Sequence, residues 1–494
     1  MNIMRNAFSA LVLTLILISP AFGQKLQMEA LKEKEPFFTL EDAMKNPNRV
    51  FRLNLSGKKL SEVPPEIFNF PNIQELDLSQ NNITVLPEGL EKIKFLQILN
   101  LSQNKIDSVT SKISQITHLK VLNLSYNKLE ALPKEIGACQ SMREINVQDN
   151  KLRAVPAELG NLTELRKLTL TFNKIRTIPN DIGRLEKLSH LYLSNNKVSI
   201  LPEEIGGLSK LIQLDLSNNR LEKLPTGVSN LSKLKVLNIA NNRLKDIPAH
   251  IYGMKKLEEL FASNNQIQSV PVEISNLKVL KYLNLSSNQL TSLPTELANL
   301  GNLDYLNLSY NQFEKIPGAV YKLKKLQWLY MWNNKIKEIS PDIANLKDLA
   351  FLNLIGNNIS ALPTEIGDLK KLQELYLSIN QLKEIPKEIC VLANLEFLFL
   401  SYNEITTVPK EIVKLQNLKG LYLKGNKIEK LDPIVCQLNI NDIDLENNPL
   451  SDLPKEMDKM SNLRKLNLTD TNMSKELIGK WMMKLSGNRV KIKY

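Results

Sequence analysis

At 494 residues, with 43% hydrophobic but only 6% aromatic side chains, the chain has a mostly aliphatic apolar content, too high for wholesale disorder. Eighteen Gly exclude collagen-like and glycine-rich chains, a 23% charged fraction excludes an integral membrane bundle, and three Cys exclude a dense disulfide framework. The net charge of +12, from 64 basic and 52 acidic residues, permits an anionic partner without requiring one.

The first element in chain order is an address. Arg5 supplies a positive start, Ala7 to Ile18 an apolar run, and Ala21-Phe22-Gly23 the small residues at −3 and −1 of a cut before Gln24. The apolar run is shorter than the ~20 residues that span a bilayer as a helix. No Cys follows it, so no lipoprotein processing site is present. Residues 1–23 are therefore expected to be a secretory signal, and the product to be secreted, surface-held or periplasmic. Residues 24–50 follow as an N-terminal cap, in which Phe37 to Val50 predicts a helix with Thr39 as N-cap and Asn46-Pro47 as its stop.

From residue 51 a period takes over. Asn81, Asn104, Asn127 and Asn150 recur at intervals of 23, and the series runs unbroken to Asn426. Asn448 comes one residue early, and Lys58 and Thr471 occupy the same frame at the two ends. That makes about nineteen units over residues 51–471. In one of them, Leu283-Asn284-Leu285 alternates with period two, which predicts a short strand with one inward and one outward face. Pro294-Thr295-Glu296-Leu297 then opens a segment of helical spacing, with Pro suited to the first turn and Glu to the positive helix end. The recurrent glutamates are thereby accounted for without catalysis. Thr110, Ser340 and Asp432 depart from the pattern by replacing the Pro.

This Leu-Pro-x-Glu-Ile pattern with its framed Asn resembles the leucine-rich-repeat family in its short form. The resemblance implies an α/β solenoid, a curved horseshoe or superhelix. Parallel strands would line its concave face, and short helices and 3-10 turns its convex face. It also implies that the framed Asn is buried with its amide paired to backbone, as a buried amide must be. With strands ~4.8 Å apart, about nineteen units give an inner arc of roughly 85–90 Å. Phe38 to Ile67, with Lys45-Asn46-Pro47 and Leu53-Asn54-Leu55-Ser56-Gly57, is similar to exported leucine-rich-repeat proteins of pathogenic spirochaetes. Residues 472–494 are expected to cap the C-terminus with a helix over Leu477–Leu485 and a basic edge strand over Arg489–Tyr494.

The sequence offers no catalytic constellation. Cys139, Cys390 and Cys436 fall in convex segments, with Cys390 and Cys436 two turns and about 10 Å apart, beyond disulfide reach, and His118, His190 and His250 lie in separate turns without partner ligands. There is no phosphate loop, nucleophile elbow or zinc spacing, so neither an enzyme nor a cofactor or metal is expected. Asp442, Asp444 and Glu446 alternate on one strand, but Asn447 and Leu453 break the EF-hand frame. They read as an acidic surface stripe.

A partner site is expected at the outward strand positions, which the core leaves free to vary. In the turns framed by Lys58 to Asn242 these hold three aromatics: Tyr126, Phe172 and Tyr192. In the turns framed by Asn265 to Asn426 they hold thirteen: Phe261, Tyr282, Tyr305, Tyr310, Trp328, Tyr330, Trp332, Phe351, Tyr376, Phe397, Phe399, Tyr402 and Tyr422. Aromatics gathered where the core does not need them point to a protein partner, although stacking between strands would also use them. A second stripe follows the frame Asn: Lys105, Lys128, Lys151, Lys174, Lys197, Arg220 and Arg243 form a predicted basic ridge. It suits an anionic glycan or acidic protein equally well as a solvated edge. The leading expectation is an exported bacterial protein-binding solenoid whose partner includes host surface or matrix proteins by family resemblance. The alternatives are a glycan-binding envelope protein and a signalling scaffold. Nucleic acid is disfavoured by export.

Overall fold

The computed structural model describes residues 25–86 and 89–494, so the predicted signal and its cleavage site lie outside the described residues, as does Glu88. The chain divides into two compact units. Unit 1 runs to Val198 and includes Gly207–Ser209; unit 2 takes Ser199–Gly206 and Lys210–Tyr494.

Each unit is a solenoid of three-residue parallel strands. Unit 1 holds β1 (Arg52–Asn54) to β7 (His190–Tyr192), and unit 2 holds β8 (Gln213–Asp215) to β20 (Lys491–Lys493). Pairing advances one repeat per strand, as in Tyr282↔Tyr305 and Leu283↔Leu306. In β1 to β19 the central Leu or Ile is buried, and in most of these strands its neighbours are open or partly open, the period-two alternation read from the sequence. A buried aliphatic set repeats in every turn; Leu280, Leu283, Leu285, Leu290, Leu297, Leu300 and Leu303 are all 0% exposed.

The frame Asn is a backbone clamp. Asn288 Nδ2 donates to the carbonyls of Ala262 and Leu285 at 3.0 Å and Ser286 at 3.2 Å, while its Oδ1 accepts from Ile267 N–H at 3.0 Å. The amide thereby ties its own turn to the one before. Asn448, one residue early, makes the same bonds to Leu423, Leu445 and Glu446 carbonyls, so the clamp tolerates the shortened repeat.

Opposite the sheet, the repeats run as 3-10 turns of three or five residues, and no α-helix occurs within residues 51–471 among the described residues. Sequence spacing of three does not separate 3-10 from α; crowding between turns does. A Cβ added at Gly137 would lie 2.2 Å from the Glu158 carbonyl oxygen, and one at Gly160 2.2 Å from that of Asp181. Most of the recurrent Pro residues are not inside the turn but precede it as extended N-caps, for example Pro294 (φ −66°, ψ 150°). Where Pro is missing, a side chain takes over the cap. Thr110 accepts from Lys112 N–H, Ser340 from Asp342 N–H and Asp432 from Ile434 N–H at 3.3, 3.2 and 2.9 Å.

The array ends are covered differently. Before β1, α1 (Met28–Lys32) buries Leu31 and α2 (Leu40–Lys45) buries Ala43, with Thr39 Oγ1 accepting from Asp42 N–H at 3.2 Å. At the far end α3 (Lys475–Leu485) buries Ile478, Trp481 and Leu485, and Trp481 Nε1 donates to Asp452 at 2.9 Å. The last strand, β20, pairs parallel with β19 (Lys465–Asn467) and presents Lys491 and Lys493, charges that discourage further strand addition.

Candidate functional site: an aromatic sheet face

Unit 2 carries the aromatic residues on consecutive strands: β10 (Glu259–Phe261), β11 (Tyr282–Asn284), β12 (Tyr305–Asn307), β13 (Trp328–Tyr330), β14 (Phe351–Asn353), β15 (Glu374–Tyr376), β16 (Phe397–Phe399) and β17 (Gly420–Tyr422). None of the thirteen is buried. The structure sorts them into two kinds.

Eight form one continuous ladder. Phe261, Tyr282, Tyr305, Tyr330, Phe351, Tyr376, Phe399 and Tyr422 follow one another with centroid separations of 4.7, 4.0, 5.1, 4.6, 4.9, 4.2 and 4.4 Å. The ladder switches between the first and third strand positions, taking one ring per strand. Because ring faces are spent on one another, the row presents edges and phenol oxygens outward. Each contact is worth about 0.5–1.5 kcal/mol beyond area burial. Phe397 leans on Phe399 at 6.4 Å. Gly420 leaves room for the end of the row: a Cβ there would lie 2.7 Å from the Tyr422 ring and 2.9 Å from that of Phe397.

The other four stand outside the ladder. Trp328 is flanked in register by Tyr305 and Phe351, yet Tyr330 on its own strand already bridges those rings. Trp328 is left 37% exposed. Trp332 lies beyond β13 rather than on it, edge-on to Tyr310 at 4.3 Å. Tyr402 sits under Lys424 Nζ at 5.6 Å. Tyr310 and Tyr402 occupy the left-handed position before the frame Asn (φ 52° and 55°), as does Ile379 (φ 55°), and these three are 47, 46 and 54% exposed. Left-handed backbone disfavours such side chains, a β-branched one above all, so the sequence keeps apolar groups in solvent at positions where Asn or Gly fits better.

A further substitution marks these strands. At the third strand position Asn or Asp ordinarily accepts from the N–H two residues on: Asn284 from Ser286, Asn307 from Ser309, Asn353 from Ile355, Asp444 from Glu446, all at 3.0–3.1 Å. This Asx bond shapes the exit from the strand. On β10, β13, β15, β16 and β17 an aromatic stands there instead and offers no carboxamide oxygen. Five turns forgo a local bond to carry rings, the kind of local inconsistency expected at a working surface.

Electrostatics differ from the rest of the chain. Burial, helped by neighbouring phenols and carboxylates, holds the Tyr282 and Tyr376 hydroxyls above the ordinary phenol range and pushes Tyr422 up to about 12. All three remain protonated donors at neutral pH; Tyr376 donates to Glu374 Oε2 at 2.5 Å. Burial also raises the Asp304 carboxyl. In the acidic stripe of β18 (Asp442–Asp444) and the following Glu446, two of the three carboxylates pair with lysines, while burial raises the Asp444 carboxyl. Glu446 meets Lys424 at 2.7 Å and Lys493 at 3.5 Å, and Asp442 meets Lys465 at 3.7 Å. No group of three metal-ligating side chains occurs among the described residues.

The predicted basic ridge falls in both units. Lys105, Lys128, Lys151 and Lys174 are exposed and Lys197 half-buried in unit 1; Arg220 and Arg243 are exposed in unit 2. Among the described residues none of the seven has a carboxylate within ion-pair distance, whereas many other surface lysines pair with the adjacent turn, as Lys427 does with Glu404 at 2.9 Å. The three cysteines are free, and burial pushes the thiols of Cys139 and Cys390 up to about 11 and 12, the opposite of activation. Among the described residues no helix is long and apolar enough to cross a membrane.

Comparison places these features among known proteins. Leucine-rich repeat region models match residues 49–181, 176–278 and 263–350, and leucine rich repeat models match 324–382 and 370–428. No curated protein matches the chain. A leucine-rich-repeat protein of Leptospira interrogans is 33% identical over 93% of this chain and 100% of its own, with TM-score 0.63. A plant peptide hormone receptor, solved in complex with RGF2, is 28% identical over 86% of this chain and 79% of its own, with TM-score 0.65. An internalin of Listeria monocytogenes is 26% identical over 69% of this chain and 85% of its own, with TM-score 0.50.

Proposed function

The chain belongs to the leucine-rich-repeat family, and from its sheet face we infer an exported, non-enzymatic solenoid that binds a protein partner across β10–β17. The family and fold are generally protein-interaction scaffolds without catalysis. The observation that carries the reading is the loss of the turn-capping Asn on five of these eight strands in favour of aromatics, beside Trp328, an aromatic that no ladder contact uses. The plant receptor that is similar in fold holds a peptide hormone, which supports a polypeptide ligand. Likeness to the Leptospira protein and to an internalin, with the N-terminal signal pattern, supports export; a partner on a host surface or in its matrix is the part of this reading that rests on the sequence resemblance to exported spirochaete proteins.

Cross-linked capture from host-cell surface extracts, followed by variants at Tyr376, tests this. Tyr376→Ala and Tyr376→Asn both remove the ring that bridges Phe351 and Phe399 at 4.9 and 4.2 Å. Only Asn restores the Asx bond, worth about 1 kcal/mol. Chemical unfolding is expected to find the Asn variant about 1 kcal/mol more stable than the Ala variant, while both weaken capture alike. Capture restored by Asn would reduce the ladder to a structural device.

A second reading rests on the unpaired basic residues of unit 1. Four ~4.8 Å steps from Lys105 to Lys197 make a row of roughly 19 Å that fits an anionic glycan. With Lys151, Lys174 and Lys197 changed to Glu, retention on heparin is expected to vanish at a salt concentration that still holds the unaltered chain. Equal retention would remove the glycan reading.

A further inference from the structure

The aromatic face is opposite in sign to the chain that carries it. The protein bears +12 overall, yet no Lys or Arg occupies a strand position from β10 to β17. Three of the cations that border the face are tied up. Lys281 pairs with Glu258 at 2.9 Å, Lys419 with Glu396 at 2.6 Å and Lys424 with Glu446 at 2.7 Å. Three carboxylates on the face have no such partner: among the described residues no Lys or Arg lies within ion-pair distance of Glu259 on β10, Asp304 at the entry to β12, or Glu374 on β15. Each is half-buried and beside a ladder ring. Glu374 accepts from Tyr376, Glu259 neighbours Tyr282, and Asp304 precedes Tyr305. Lys281, paired with Glu258, acts on Asp304 and Glu259 only at longer range. Half-buried carboxylates with no cation at ion-pair distance, set among ring edges, are incompletely compensated, and a guanidinium or ammonium group supplies both the charge and a partner for exposed ring surface.

We propose that this face selects a polypeptide segment that is apolar and cationic, lying extended across the strands with Arg or Lys directed at Glu259, Asp304 and Glu374. The proposal rests on the protein-binding reading above and names the chemistry of its ligand. Spacing sharpens it. The carboxylates stand two and then three strands apart, about 10 and 14 Å at ~4.8 Å per strand. An extended chain rises ~3.3 Å per residue and sends alternate side chains to opposite faces, so cations that share the face fall at even spacings: four and then four residues, about 13 and 26 Å along the segment, with the long Arg or Lys side chains spanning the small mismatch. Trp328, on the first of the two strands between Asp304 and Glu374, takes an apolar side chain from the intervening stretch. A net-positive protein repels cationic peptides at long range, so preference for one reports the local field of this face rather than bulk charge.

The test uses the full chain and two fluorescent peptides of about twelve residues, enough to cross the eight strands. One carries three Arg at successive four-residue spacings in a Leu/Ser background; the other has Glu at the same places. Anisotropy titrations are expected to show the Arg peptide binding roughly tenfold or more tightly, with the preference shrinking as salt rises. The isosteric Glu259→Gln, Asp304→Asn, Glu374→Gln variant, whose circular dichroism and melting should match the parent, is expected to abolish that preference, and Trp328→Ala to weaken both peptides. Equal binding of the two peptides, no binding of either, or undiminished preference in the carboxamide variant overturns the proposal. If the peptides bind equally and Trp328→Ala weakens both, cation selection fails while the aromatic face stands as a binding site. If Trp328→Ala changes nothing, the aromatic face itself is wrong. Concentration-dependent self-association that the carboxamide variant dissolves would make the occupant a second copy of this chain and overturn a heterologous ligand.

Discussion

Trp328→Ala combined with Trp332→Ala is expected to weaken capture of the partner by roughly a hundredfold or more while leaving the solenoid nearly as stable. Binding energy concentrates in a few aromatic anchors, whose truncation costs at least ~2 kcal/mol each. The stability side follows from what each ring touches. Trp328 is 37% exposed and, among the described residues, enters no ring contact, so its truncation leaves every rung of the ladder in place. Trp332 gives up its edge contact to Tyr310 at 4.3 Å, about 0.5–1.5 kcal/mol. Surface plasmon resonance against the captured partner, with thermal melting alongside, separates the two effects. Unchanged affinity in the double variant would remove the patch assignment. A large fall in melting temperature would show instead that these rings hold the sheet.

The second large effect is structural. Asn288→Ala is expected to destabilise unit 2 by about 3 kcal/mol. The substitution leaves the carbonyls of Ala262, Leu285 and Ser286 and the N–H of Ile267 without the amide that pairs them. Leaving a buried polar group unsatisfied costs more than the average hydrogen bond contributes. Because a solenoid is held by nearest-neighbour interfaces, the loss should appear as faster amide exchange around residues 262–311, with distant turns little changed. Uniform loss of protection throughout unit 2 would show cooperativity longer-ranged than one interface.

The two effects have different visibility in the sequence. The clamp is legible because a framed polar residue in an aliphatic repeat must be paired, and the only groups available are backbone. Ladder membership is not legible, because it depends on which of two outward positions each ring leaves. The alternation at β13 makes Tyr330 a rung and Trp328 a bystander, though both are outward aromatics two residues apart. Ion pairing is hidden for a similar reason. Lys281 and the frame lysines look alike as letters, and only side-chain geometry between neighbouring turns ties up the first and frees the others. The missing Asn at Phe261, Tyr330, Tyr376, Phe399 and Tyr422 could have been seen as a break in the repeat, but its meaning needs the Asx bond that the other strands make.

The sequence by itself determined the period, the parallel strands, the buried Leu and Asn positions and the outward placement of the aromatics, because each follows from alternation and the need to pair buried polar groups. Packing between turns is what makes the opposite side 3-10 rather than α, turns eight ring faces toward one another, and leaves three carboxylates among them with no cation at ion-pair distance. Those outcomes turn on ångström-scale distances between turns 23 residues apart, where a few tenths of an ångström decide whether two groups clash, stack or pair.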